Sequence, residues 1–207
     1  MSAEVLNQET IRLANVRRGR WLEYLTIGWN SLEAIIALGA GLAAGSIALV
    51  GFGVDSVIEV SSGAILLWRL FSGEHRERLA LKLVGISFLG LATYIAFDAI
   101  KSLLLREPPN ESYIGIVVAA LSVIVMPILA RAKRRVAVDL NSHAMKADSR
   151  QTDLCAYLSA ILLVGLCLNA LFGWWWADSV AALVMIPIIA REGLAALRGE
   201  VCDDCHS

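Results

Sequence analysis

Residues 47–70 read IALVGFGVDSVIEVSSGAILLWRL, a run apolar enough to cross a bilayer as one helix, yet it carries Asp55 and Glu59 near its middle. A crossing needs about 20 mostly apolar residues, so the length fits. On an α-helix, residues four apart lie about 40° apart in direction and about 6 Å apart along the axis, so one cation can meet both carboxylates. A charge at mid-bilayer costs about 2.5–3.5 kcal/mol on insertion scales, which confines such residues to bundle interiors, cavities and ion or proton paths. Two readings stand at this point. Either the pair is protonated and hydrogen-bonded to neighbouring helices, or it faces a passing cation.

The rest of the chain gives this run its setting. Its 207 residues are 57% hydrophobic and 18% charged, and the mean hydropathy is +0.66, the composition of a membrane protein rather than a soluble domain. Further apolar runs cover 22–43, 80–103, 112–132, 147–171 and 174–195, so the expected fold is all-α: a six-transmembrane-helix bundle. The links AAGS (43–46) and GWWW (173–176) are short enough to force antiparallel hairpins. The expected layout is an amino-terminal arm over 1–20, a membrane domain over 21–196 and a tail over 197–207. The first twenty residues lack the apolar core of a cleaved signal peptide.

Charge placement orients the bundle. Of the 18 Lys and Arg, all but Lys101 and Arg106 fall on one side of these spans, which the positive-inside bias assigns to the cytoplasm, with both termini inside. The expected location is the cell membrane. A net charge of -1 offers no basic surface for nucleic acid. The four cysteines form no secreted disulfide framework and are expected to be reduced. Trp21, Trp68 and Trp174–Trp176 fall at span ends, where they read as interface anchors.

Other acids accompany the pair: Glu33 in the first span, Asp98 in the third, Asp148 and Asp153 at the start of the fifth, and Asp178 at the start of the sixth. No Lys or Arg is expected inside the bundle to balance them, which implies a visiting cation. On the fifth span Asp148, Gln151, Thr152 and Cys155 share a helical face, while Asp153 lies about 200° round the helix from Cys155. A thiolate suits a soft ion such as zinc or cadmium, although a buried cysteine beside an amide also serves as ordinary packing.

These residues resemble the cation diffusion facilitator (cation efflux) family of divalent-metal transporters. Asp55 and Glu59 match the two acidic ligands on that family's second helix, and Ala147 and Asp148 match the Ala-Asp pair on its fifth. Gln151 stands where the family has His, and Cys155 where it has Asp; WADSVAALVM, with Asp178, is similar in the sixth. The resemblance implies a homodimer exporting Zn²⁺ or a similar ion from the cytoplasm in exchange for protons, through a site between the second and fifth helices. The chain resembles a divergent branch without the soluble carboxy-terminal domain.

The expected metal ligands are therefore Asp55, Glu59, Gln151, Cys155 and Asp148, with Glu33 and Asp153 behind them. Cys202, Cys205 and His206 in the tail VCDDCHS form a second constellation, read either as a soft-metal capture motif or as a plain flexible tail. No resident cofactor and no enzymatic activity are expected; the glycine and aspartate motifs of two-acid intramembrane proteases are absent. The alternative function is a membrane regulator or partner subunit that binds metal without moving it. The segment ARAKRR (130–135) reads chiefly as a topology signal on a cytoplasmic loop.

Overall fold

The tight links form because glycine supplies the left-handed backbone each needs: Gly45 has φ +67° and Gly173 has φ +63°. At the second link the Gly173 N–H donates to Asn169 O (2.9 Å) and the Trp174 N–H to Leu168 O (3.5 Å), which satisfies carbonyls at the helix end. The computed structural model describes residues 3–72, 77–106, 109–140 and 143–198. They form six helices: α1 (Ala3–Ala44), α2 (Ile47–Ser72), α3 (Glu77–Leu105), α4 (Tyr113–Asp139), α5 (His143–Phe172) and α6 (Trp176–Arg198). The tail with Cys202, Cys205 and His206 lies outside the described residues.

One boundary differs from expectation. The amino-terminal arm continues unbroken into the first span, so α1 is one helix of 42 residues, about 63 Å at 1.5 Å per residue. Among the described residues, five helices are long and apolar enough to cross a bilayer, and α6 falls outside that group. Asp178, Arg191 and Glu192 shorten its uninterrupted apolar stretch, yet it is packed into the bundle against α3, α5 and α2. The six-helix count therefore rests on packing as well as hydropathy. The chain is an all-α, multi-pass membrane protein.

Helix α2 is the centre. It touches α1, α3, α5 and α6, and 61% of its apolar window is buried against no more than 39% in the other spans. Two glycines permit its closeness to α1 and the closeness of α3 to α6. A Cβ at Gly53 would sit 3.0 Å from the backbone N of Leu38, and one at Gly85 would sit 2.8 Å from the carbonyl O of Gly193. Ile35, Phe97 and Leu171 remain exposed on the outside of the bundle, as lipid-facing positions require.

The end carrying the α1–α2 and α5–α6 links is tied together by polar contacts. Asp178 receives the Ser46 hydroxyl and the backbone N–H of Ile47 (3.0 Å) and Ala48 (3.4 Å), so a residue of α6 caps the start of α2. The Asn110 N–H donates to Ala44 O (2.7 Å), and the Asn169 amide donates to Pro109 O (3.3 Å). Trp174 and Trp176 stack at 5.2 Å beside Phe172, in keeping with anchors at a span end. Asp178 thus has a structural task. Asp178→Ala should lower the stability of the detergent-solubilised protein by about 1–2 kcal/mol, the usual weight of a lost cap, with Asp178→Asn losing less; thermal unfolding measures both.

Candidate metal site

The interior acids arise from a polar stripe on α1. Glu23, Thr26, Asn30 and Glu33 recur at steps of three and four residues, and all four are buried. On α4 the same spacing puts Ser122, Met126, Ala130 and Lys133 inside while Arg131, Arg134 and Arg135 stay exposed. This overturns the expectation that no base enters the bundle. Lys133 is no loop residue; it lies on a helix that runs on to Asp139, and its side chain is fully buried.

Two layers of polar groups result. In the inner layer the Lys133 ammonium lies 3.2 Å from Glu23 Oε2 and 2.5 Å from Asp148 Oδ2. It also donates to Thr152 Oγ1 (3.5 Å), whose hydroxyl donates to Glu59 Oε1 (2.9 Å). Thr152 therefore links the ion-paired cluster to the acidic pair of α2.

In the outer layer Glu33 is held by three donors. Trp29 Nε1 reaches Oε2 (3.0 Å), the Ser56 hydroxyl reaches Oε1 (2.6 Å), and the Cys155 thiol points at Oε1 (3.8 Å). Asp55, Glu59 and Cys155 are buried here, and the thiol lies within electrostatic reach of all three carboxyls. One turn further out, Phe52 and Leu158, with Leu162 beyond, close the interior with fully buried apolar side chains.

The expected ligands are thus sorted by position. Asp55, Glu59, Cys155 and Glu33 come together. Asp148 belongs to the inner layer, where one oxygen is committed to Lys133. Gln151 is half-buried with Nε2 lacking a partner. Asp153 lies apart, bonded to the Arg134 guanidinium at a partly exposed edge. Asp98 is partly buried and within 3.5 Å of the Tyr94 hydroxyl. Among the described residues, no group of three or more His, Cys, Asp or Glu is close enough as it stands to hold an ion.

Glu23 and Lys133 escaped the sequence reading. Glu23 stands at the very edge of an apolar run, and Lys133 sits among arginines that do face outward. The available signal was helical phase: Glu23 continues the Thr26, Asn30, Glu33 stripe, and Lys133 continues the one from Ser122.

The comparisons with known proteins agree with this architecture. A family model described as the cation efflux transmembrane domain matches residues 24–201. Transmembrane protein 163 of Xenopus laevis is 27% identical over 187 residues, covering 87% of this chain and 66% of its own length. An uncharacterised transporter of Synechocystis is 28% identical over 183 residues, 81% of this chain and 58% of its own. The cation-efflux pump FieF of Shewanella oneidensis is 28% identical over 116 residues, 56% of this chain and 39% of its own. The chain spans between about two fifths and two thirds of the length of these relatives.

The Thr152 link between the layers is directly testable. Thr152→Val keeps the shape but removes the hydroxyl, leaving Glu59 Oε1 without its donor. Stability in detergent should fall by about 1–3 kcal/mol, the cost of a buried unsatisfied group, and an unchanged unfolding midpoint would count against the link.

Proposed function

The chain belongs to the cation efflux family, and on that premise we propose that it carries a divalent metal ion, zinc foremost, across the membrane through the buried acids between α1, α2 and α5. The observation that carries this reading is the convergence of Asp55 and Glu59 with Cys155 and Glu33 in a closed interior, where Glu59 Oε2 has no hydrogen-bond partner. Carboxylates crowded in a dry cavity repel one another, and a dication relieves that repulsion directly.

In this reading Asp55, Glu59 and Cys155 are the primary ligands. Gln151 or Glu33 completes a shell of about four, the number zinc prefers. The side chains must close by a small movement of α5 against α2 when the ion enters. The thiol favours zinc or cadmium over hard ions such as manganese. Protons are the natural exchanging ion, because ligands bind metal in their deprotonated form and recover protons when it leaves. Export from the cytoplasm and a homodimeric assembly, implied by the resemblance, complete the proposal.

A second reading has one observation in its favour. The lack of a ready-made three-ligand group among the described residues suits a protein that binds metal weakly, as a regulator or partner subunit, without turnover. Flux separates the two. In liposomes loaded with a zinc-sensitive dye, the parent should move zinc, and Asp55→Asn or Glu59→Gln should slow it at least about tenfold by removing a charged ligand. In the same assay Cys155→Ser should reduce cadmium movement more than manganese movement. Metal binding by the parent with no flux would establish the second reading, and equal flux in parent and Asp55→Asn would remove this site.

A further inference from the structure

We infer that Lys133 is a tethered cation: its ammonium fills the inner cation position of the path and competes with the visiting ion for Asp148 and, through Thr152, for Glu59. This rests on the reading of the interior as a cation path and adds to it a residue that sets affinity.

The geometry has three parts. The ammonium is fully enclosed, and its donors meet Glu23 from α1, Asp148 from α5 and the Thr152 hydroxyl. Two helices, α1 and α5, thus converge on one positive charge that α4 supplies. Next, one ammonium faces three carboxyl groups: Glu23 and Asp148 touch it, and Glu59 is one hydroxyl away. Finally, each of these carboxylates keeps one buried oxygen without a partner, namely Glu23 Oε1, Asp148 Oδ1 and Glu59 Oε2. A pocket shaped only to bury a lysine would satisfy those oxygens, because leaving them bare is costly. Two such oxygens on the carboxyls that touch the ammonium, and a third on Glu59 beyond Thr152, are instead the lining of a cation path that holds its own occupant.

The consequence is a limit on affinity. An ion at Asp55 and Glu59 feels the repulsion of Lys133 and is denied Asp148 as a ligand. A path that conducts must bind its ion firmly enough to load it and loosely enough to release it, and a fixed internal charge tunes that balance.

The test measures zinc affinity by calorimetry and zinc flux in liposomes on the full chain. Lys133→Met removes the charge at nearly constant volume. Because it leaves two buried carboxylates facing each other, Lys133→Met with Glu23→Gln serves as the companion, keeping the net charge of the cluster. Lys133→Met should bind zinc at least about tenfold more tightly, the effect of removing a unit charge at this range, the double variant should share the gain through the freed Asp148 carboxylate, and both should move zinc more slowly. Adding Asp148→Asn to either should cancel the gain. A lysine with only a structural role would lower the unfolding temperature and leave zinc affinity unchanged; that result in the double variant overturns the inference while the transport reading survives on the flux of the parent. A parent that binds no zinc, cadmium or cobalt overturns both.

Discussion

Carboxylates removed from water must be balanced by something, and the bundle is arranged around that constraint. Its interior supplies two kinds of balance at two depths. The inner layer has a fixed charge, Lys133 between Glu23 and Asp148, and the outer layer has hydrogen bonds from Trp29 and Ser56 to Glu33. The second oxygen of Glu59 has no hydrogen-bond partner. Breaking a buried ion pair costs about 3–5 kcal/mol, so the inner layer is a strong restraint on how α1, α4 and α5 sit together. On the proposed reading, the partly unbalanced pair on α2 is where a mobile ion takes over the role that Lys133 plays permanently below it.

The two ends of the bundle are built differently. Around the short links, backbone amides and carboxylates lock α1, α2 and α6 together, with Asp178 receiving three donors. Directly inward of that cap come close-packed apolar side chains, Leu49, Phe52 and Leu162. The opposite half has the polar stripe instead. Its helices meet through buried charges, whereas the capped half combines a polar cap with close apolar packing.

Much of this was legible in the sequence because membrane insertion imposes a coarse code. Apolar length pointed to all six helices, the glycine-containing links to the hairpins, and four-residue spacing placed Asp55 over Glu59. What the sequence did not yield was the identity of the partners. Lys133 was grouped with the exposed arginines because charge runs near a span end usually mark topology. Helical phase, which separates it from Arg134 and Arg135, acts only once α4 is known to continue to Asp139. Asp178 read as a functional acid because a carboxylate at the start of a span has the same composition whether it serves an ion or a helix end. Its role became visible only when the amides of Ile47 and Ala48 lay beside it. The thiol of Cys155 on the same face as Asp148 and Thr152 was plain in the sequence, but its contact with Glu33 depends on how α1 and α5 are brought together.

The unbroken course of α1 has a mechanical meaning. Glu23, beside Lys133, and Glu33, beside Cys155, ride on the same rod, ten residues and about 15 Å apart. No hinge lies between them, so a tilt that pulls one from its neighbour also swings the other. The two polar clusters are thereby geared together: whatever loosens the contact at Lys133 shifts the carboxylate beside Cys155 in the same stroke.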